Sequence, residues 1–310
     1  MNLEVRQSGE ILARVATVND LHFGETVCGL LEGVELGPAL RDDPGSEPYP
    51  LVMNRAAVSE MAAISPDLVI AKGDLTATGS AGEYAQFQTT YRAVFGDRLM
   101  VTLGNHDKPK VGGEVPPVPA VQSTDLEGVR VVVVDTSREG SVGGELATEQ
   151  ADELDELALG SDRPVLVFGH HPVGGKDIDH LFGPRSAYEN CLDPSSTSRL
   201  VGVVARRPGI VGYFAGHTHR NKVRYLPETG TFPWVEVGCV KDFPGSWAEY
   251  RISEDVIEQV HHRISDPEAL RWSERCRSMF GGRYPLYALG RDTDRCFKLH
   301  IQDSQRRAYS

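Results

Sequence analysis

The chain predicts an α/β fold made of two β-sheets with helices packed outside them, and three observations carry that prediction. Five short apolar runs (residues 11–18, 68–71, 99–103, 165–168 and 210–215) each end at a small polar cluster, the pattern of strands buried on both faces. Helix-length stretches with apolar residues at helical spacing lie between several of them. Later strand-like runs follow one another with no helix between, which suggests a second, partly antiparallel sheet packed on the first.

Residues 11–18 open the first sheet. Residues 24–50 contain Gly37-Pro38, Asp43-Pro44-Gly45 and Pro48-Tyr49-Pro50 and read as a long loop. Residues 51–64 and 81–95 read as helices on either side of the strand at 68–71. After the strand at 99–103, Pro116, Pro117 and Pro119 mark residues 110–122 as another loop. Residues 145–159 read as a helix with Thr148 as its N-terminal cap. Residues 129–134, 234–237 and 247–252 are the strand-like runs assigned to the second sheet. No internal repeat or long low-complexity run is present. The chain divides into a main domain, residues 1–265, and a basic C-terminal extension, residues 266–310.

The 310 residues carry a net charge of −12, unevenly placed. Residues 271–310 hold nine Lys or Arg against four acids, so this tail is +5 and the rest of the chain is −17. A strongly acidic body disfavours a nucleic-acid polymer as partner, because such binding rests on a basic field. A small phosphorylated substrate remains compatible. The tail is expected to fold back on the acidic body or to swap across it in a homodimer. Five widely spaced cysteines without a C-x-x-C pair point to reduced thiols, and with no apolar run long enough to span a bilayer the expectation is a cytoplasmic protein without membrane contact.

The polar clusters at the strand ends are Asp20-Leu21-His22, Gly73-Asp74, Gly104-Asn105-His106-Asp107, Gly169-His170-His171-Pro172 and Gly216-His217-Thr218-His219. One Asp-x-His is a weak signal, since Asp at a strand end often caps a turn. Five clusters of Asp, Asn and His are different, because these are the side chains that hold a pair of divalent transition metals. His22, His106, His170, His217 and His219 account for half of the ten histidines.

The order and types of these residues resemble the calcineurin-like metallophosphoesterase superfamily over residues 10–240. The resemblance implies a four-layer αββα sandwich of two mixed sheets flanked by helices. It implies that Asp20, His22 and His219 bind one metal, that Asn105, His170 and His217 bind the second, and that Asp74 bridges them. It also implies a metal-bridging hydroxide as nucleophile and His106 as proton donor to the leaving group. The expected ions are Fe or Mn, with Zn or Co as alternatives. Asp107 either orients His106 or caps a turn, and His171 either touches substrate phosphate or supports the ligands from behind. Lys108, Lys176, Arg185 and Arg220 are phosphate candidates but more simply solvated cations. Phe23, Tyr188 and Trp247 are candidates for stacking a base but more simply packing residues.

Within the superfamily, Ala77 stands where purple acid phosphatases carry a tyrosine in GDxxY, and Gly73-Asp74-Leu75-Thr76-Ala77-Thr78-Gly79 lacks the Asp-Arg pair of the Ser/Thr phosphatases. The run from Gly73 to Tyr84, with Gly104-Asn105-His106-Asp107 and Gly216-His217-Thr218-His219-Arg220, is similar to bacterial class III cyclic-nucleotide phosphodiesterases and their glycerophosphodiesterase relatives. The expected function is therefore hydrolysis of a small phosphodiester. A phosphomonoesterase or nucleotide pyrophosphatase with the same metals is the enzymatic alternative, and a non-catalytic metal-binding regulator is the alternative from another class.

Overall fold

The computed structural model describes residues 9–31, 34–174 and 190–301. Lys176, Arg185 and Tyr188 lie outside the described residues, as do residues 302–310 of the basic tail.

Along the chain, β1 (Ala13–Val18) is followed by a hairpin of β2 (Cys28–Leu31) and β3 (Val34–Leu40), then α1 (Tyr49–Ala63) and β4 (Leu68–Lys72). Next come α2 (Ala81–Phe87), a π-helical turn (Gln88–Arg92), α3 (Ala93–Phe95) and β5 (Leu99–Thr102). The second half begins with β6 (Val121–Leu126), β7 (Val129–Val134), α4 (Thr148–Leu159), β8 (Val165–Phe168), α5 (Pro194–Arg206) and β9 (Ile210–Ala215). It continues with β10 (Lys222–Arg224), β11 (Trp234–Glu236), β12 (Ser246–Ile252), β13 (Val256–Arg263), α6 (Pro267–Arg275), α7 (Met279–Gly282), α8 (Tyr284–Ala288), α9 (Asp292–Arg295) and β14 (Phe297–His300).

These strands form two six-stranded mixed sheets, ordered β14-β13-β12-β1-β4-β5 and β10-β11-β9-β8-β7-β6. Strands β1, β4 and β5 run parallel in the first, and β7, β8, β9 and β11 run parallel in the second. Between the sheets lies an apolar layer that includes Val15, Ile70, Val133, Leu166, Phe168, Phe214 and Tyr250. Phe168 stacks on Phe214 at 5.2 Å between ring centroids and meets Tyr250 edge-on at 5.4 Å, so the two sheets are joined by aromatic contact. A second cluster buries the outer face of the first sheet under α1 and α6, and a third buries the outer face of the other sheet under α4 and α5. The four layers expected from the sequence are present.

Several local expectations change. Residues 24–50 are not one loop: Cys28 pairs with Leu40 and Leu31 with Val34, and the ribbon bends at a bulge between Cys28 and Leu30. Pro38 fits because a two-stranded ribbon leaves an outer edge where no N–H is needed. Thr148 does not cap α4; Ala147 holds the cap position, and its N–H donates to the Gln150 side-chain oxygen at 2.8 Å. Residues 247–252 belong to the first sheet, antiparallel to β1, and not to the second. The C-terminal residues also pack closely: Trp272 of α6 stacks on Tyr49 at 4.0 Å, and β14 extends the first sheet beside β13. No helix among the described residues is long and apolar enough to cross a membrane.

Strand β12 is fastened beside β1 by Glu249, whose buried carboxylate meets Arg14, Arg251 at 3.0 Å and His262 at 2.9 Å. Burial alone would raise its pKa, but the bonds from His262 and Arg251 outweigh it and hold the group down at about 2. A folded-state pKa below the unfolded value gives stability that is full above about pH 4.5 and is lost as the pH falls toward 2. Glu249→Gln is expected to cost roughly 1–2 kcal/mol at pH 7, after allowance for the partly exposed arginines. In acid titrations of unfolding, the variant's deficit shrinks below pH 4.

Candidate metal centre

All five polar clusters emerge at the carboxyl ends of parallel strands: Asp20 and His22 after β1, Asp74 after β4, Asn105 after β5, His170 after β8, and His217 and His219 after β9. Ligands gather at such strand ends in open α/β sheets. Both sheets contribute, so the clusters meet where the sheet ends converge. Backbone bonds tie the loops together. Leu21 and His22 N–H donate to the Asp74 carbonyl at 2.8 and 2.9 Å, and Gly216 N–H donates to the His170 carbonyl at 2.9 Å.

Asp20, His22, Asp74, His217 and His219 all have positive φ, between 49° and 67°. Asp and His tolerate this left-handed conformation better than most residues, yet it still costs on the order of 1–3 kcal/mol at each position. Such strain held at one place by the surrounding loops marks a functional site. Close approach also fixes two glycines. A Cβ on Gly104 would overlap the Asp74 carboxylate, and one on Gly73 would lie 2.6 Å from His170 Nδ1.

The donor atoms converge. Those of Asp20, His22 and His219 lie within 4.8 Å of one another, as do those of Asp20, Asp74 and His170, and those of His22, Asp74 and His106. Asp74 Oδ2 is 3.5 Å from His22 Nε2 and 3.4 Å from His170 Nε2, while its Oδ1 accepts the His106 N–H at 2.9 Å. His219 Nε2 is 3.3 Å from Asp20 Oδ1, and His170 Nε2 is 3.2 Å from His217 Nδ1. Asp20 Oδ1, His22 Nε2 and Asn105 Oδ1 are buried without a hydrogen-bond partner. Buried polar atoms are normally hydrogen-bonded, and unbonded donor atoms on Asp20 and His22, both within the cluster, fit a bound cation. Carboxylate oxygen, imidazole nitrogen and amide oxygen are the donors a first-row divalent ion takes, and the residues therefore fit a metal pair.

Electrostatics agree with a cation site. Burial would raise Asp74, but His170 and His106 outweigh it and hold the carboxyl well below its usual range. Burial would lower His170, but the Asp74 charge and bond carry it to about 9. His217 is pushed down to about 3, first by burial and then by the charge of His170. Beneath the site Lys72, fully buried, donates to the Ala215 carbonyl at 3.0 Å and is lowered by burial to about 7.

The profile of the calcineurin-like phosphoesterase family matches residues 13–221. The chain belongs to that family. It is 31% identical over 162 residues to a probable cyclic nucleotide phosphodiesterase of Synechococcus sp., covering 50% of this chain and 59% of the relative. It is 28% identical over 170 residues to the glycerophosphodiester phosphodiesterase GpdQ of Enterobacter lignolyticus, covering 50% and 56%. The chain thus spans somewhat more than half the length of these relatives. Among solved structures, a dimetal phosphatase from Danio rerio superposes with a TM-score of 0.63 at 14% identity, covering 83% of this chain and 98% of the other, which bears out the fold.

The structure decides among the alternatives the sequence left open for the remaining residues. Asp107 does not orient His106. Its carboxylate accepts from Leu75 N–H at 3.1 Å, Thr76 N–H at 2.9 Å, Thr76 hydroxyl at 2.7 Å and Gly104 N–H at 2.9 Å, tying the Asp74 loop to the Asn105 loop. His106 is the exposed member, with Nδ1 2.7 Å from the Ala77 carbonyl. His171 is fully buried with both ring nitrogens engaged, by Thr136 hydroxyl at 2.9 Å and the Val142 carbonyl at 3.1 Å, so neither is left for phosphate. Arg220 is not a solvated cation but a buried one, bonded to both oxygens of Glu236 at 2.8 and 3.1 Å. Lys108 is half-buried and paired with Asp135 at 2.8 Å. Phe23 and Trp247 are buried packing residues.

Sequence reasoning missed Asn19, Glu25, Lys72, Lys241 and Asp242. Asn19 Nδ2 donates to Asp20 Oδ2 at 2.5 Å and to the Val237 carbonyl at 3.1 Å, fixing that carboxylate from behind. Glu25 had a signal in its position three after His22, and Lys241-Asp242 in being a charged pair between Val240 and Phe243.

Removing the Asp107 carboxylate leaves three backbone N–H groups without their acceptor, each costing about 1–3 kcal/mol. Asp107→Ala is expected to lower stability by on the order of 3 kcal/mol or more in denaturant unfolding.

Proposed function

We propose that the chain is a dinuclear metal-dependent phosphodiesterase acting on a small phosphodiester, a cyclic nucleotide first among the candidates. What carries the reading is the convergence of Asp and His donors around Asp74. Asp20, His22 and His219 would hold one cation, Asn105, His170 and His217 the other, and Asp74, whose Oδ2 faces both His22 and His170, would serve both. Bound there, a pair of first-row ions such as Mn or Fe supplies Lewis-acid charge to the phosphoryl oxygens and acidity to a water molecule.

The remaining steps belong to the chain's own residues. Asp20 and Asp74 stay ionised because their imidazole neighbours hold their pKa values down, so both carboxylates keep their negative charge across the physiological range. The amide of Asn105 adds an oxygen without adding charge. His106 has its Nδ1–H held on the Ala77 carbonyl, so in the imidazolium form its Nε2 proton passes to the departing oxygen and leaves a neutral ring. The acidic body opposes long polyanions and tolerates a small monoanionic diester. The named activities of the Synechococcus and Enterobacter relatives, one on cyclic nucleotides and one on glycerophosphodiesters, support diester hydrolysis.

With Mn²⁺ and bis-p-nitrophenyl phosphate, turnover is expected that disappears on chelation and in Asn105→Ala. His106→Ala is expected to lose roughly 10²–10⁴ in kcat while its metal content is unchanged. A metal-loaded protein that cleaves neither this diester nor cyclic nucleotides would overturn the reading, and faster cleavage of p-nitrophenyl phosphate would move it to a monoesterase. Metal at about 100 times Kd should also add about 2.7 kcal/mol to stability for each occupied site, read as a rise in Tm.

A further inference from the structure

Two of the imidazoles at the centre are gripped from behind by carboxylates that lie outside the polar clusters. His22 Nδ1 is 3.1 Å from Glu25 Oε2, and His219 Nδ1 is 3.3 Å from Asp242 Oδ2. Lys241 links the two carboxylates, with its Nζ 2.8 Å from Glu25 Oε1 and 3.4 Å from Asp242 Oδ2. Tyr284 of α8 donates its hydroxyl to Asp242 Oδ1 at 2.8 Å, and Cys239 Sγ lies 2.8 Å from the same oxygen. Trp272 of α6 donates to the Lys241 carbonyl at 2.9 Å. Lys241, Asp242 and Tyr284 are buried, and the Glu25 side chain is 15% exposed.

His219, Cys239 and Asp242 also bring three donor atoms within 4.8 Å of one another, the geometry of a further cation site. The neighbouring charge argues against that use. An ammonium group sits 3.4 Å from the Asp242 carboxylate, and both carboxylate oxygens already accept hydrogen bonds. The cluster is closed upon itself. Its open ends are the two histidines, whose Nε2 atoms face Asp74 and Asp20.

We propose that Glu25, Lys241, Asp242 and Tyr284 form a positioning network that fixes the ring orientation and the Nδ1 proton of His22 and His219, and so sets the affinity of the one cation those two histidines would hold. The inference rests on the dinuclear reading above. A carboxylate on the far nitrogen of a ligand imidazole fixes its tautomer and makes the donor nitrogen more basic. The other two histidines are held differently, with His170 Nδ1 2.8 Å from the neutral Lys72 carbonyl and His217 Nδ1 against His170. Lys241, Asp242 and Tyr284 all fall beyond the 13–221 family match, so the C-terminal part of the chain takes part in the centre through this network. Lys241 keeps the pair of carboxylates from repelling each other and forces them to act together.

The test is Mn²⁺ binding to the full chain, followed by calorimetry and by electron paramagnetic resonance, alongside Tm. Glu25→Gln, Asp242→Asn and Tyr284→Phe are each expected to weaken one of two bound ions by roughly 10- to 100-fold and to leave the other within about 3-fold. Because the carboxylates share Lys241, the Glu25→Gln/Asp242→Asn double variant is expected to lose less than the sum of the single losses on a logarithmic scale. Glu60→Ala, which removes the acceptor of the Trp247 indole and of Ser265 and belongs to none of the donor clusters, is the control for stability loss without affinity loss. Equal weakening of both ions, or lowered Tm with unchanged binding, would overturn the network. Failure of the unsubstituted protein to bind Mn²⁺ would instead overturn the dinuclear reading on which it stands.

Discussion

The Asp74 carboxylate is the point on which the rest of the structure depends. It sits at the end of β4, in the middle of the parallel run of the first sheet, and reaches the imidazoles of His22 from its own sheet and His170 from the other. Its backbone carbonyl accepts two N–H bonds from the β1 loop, and its Oδ1 receives the N–H of His106 after β5. Three loops from two sheets are therefore fixed by one residue. That residue must have no side chain opposing it, which is why glycine stands at 104, where any Cβ would collide with the carboxylate.

A buried carboxylate needs compensation, and the fold supplies it in layers. Nearest are the imidazoles; behind them stand Glu25, Lys241 and Asp242 on one side, and Lys72 below. Further out, Glu236 lies between Arg220 and Arg224, at 2.8 and 3.2 Å, bracing the loop after His219. Ion pairs buried this deeply are weak evidence of stability, because desolvation offsets most of the attraction. Their regular attachment to the imidazoles instead suggests that they hold geometry. The left-handed backbone at five of these positions has the same sense: conformational cost accepted where donor direction matters.

Much of this was legible in the sequence. The strands ending in Asp20, Asp74, Asn105, His170 and His217 could be read because a buried parallel strand is a short apolar run and its functional residue must follow directly. The hairpin of Cys28–Leu31 and Val34–Leu40 could not, because Gly37 and Pro38 imitate a loop and the ribbon gains its stability from packing on the C-terminal residues Met279 and Phe280. The placement of residues 247–252 was missed for a related reason: an antiparallel strand beside β1 and one in the second sheet have the same local pattern. Glu25, Lys241 and Asp242 carried only faint signals, since each is defined by a partner more than 200 residues away or by a histidine already assigned elsewhere. The role of Asp107 was left between two alternatives because sequence adjacency to His106 says nothing about side-chain direction.

Anomalous diffraction from a crystal of the full chain grown with Mn²⁺ tests the central claim most directly. Two peaks about 3.5–4 Å apart are expected beside the Asp74 carboxylate, one within coordination distance of Asp20, His22 and His219 and the other of Asn105, His170 and His217. No peak beside Asp74, or a single ion bound away from it, would contradict the account.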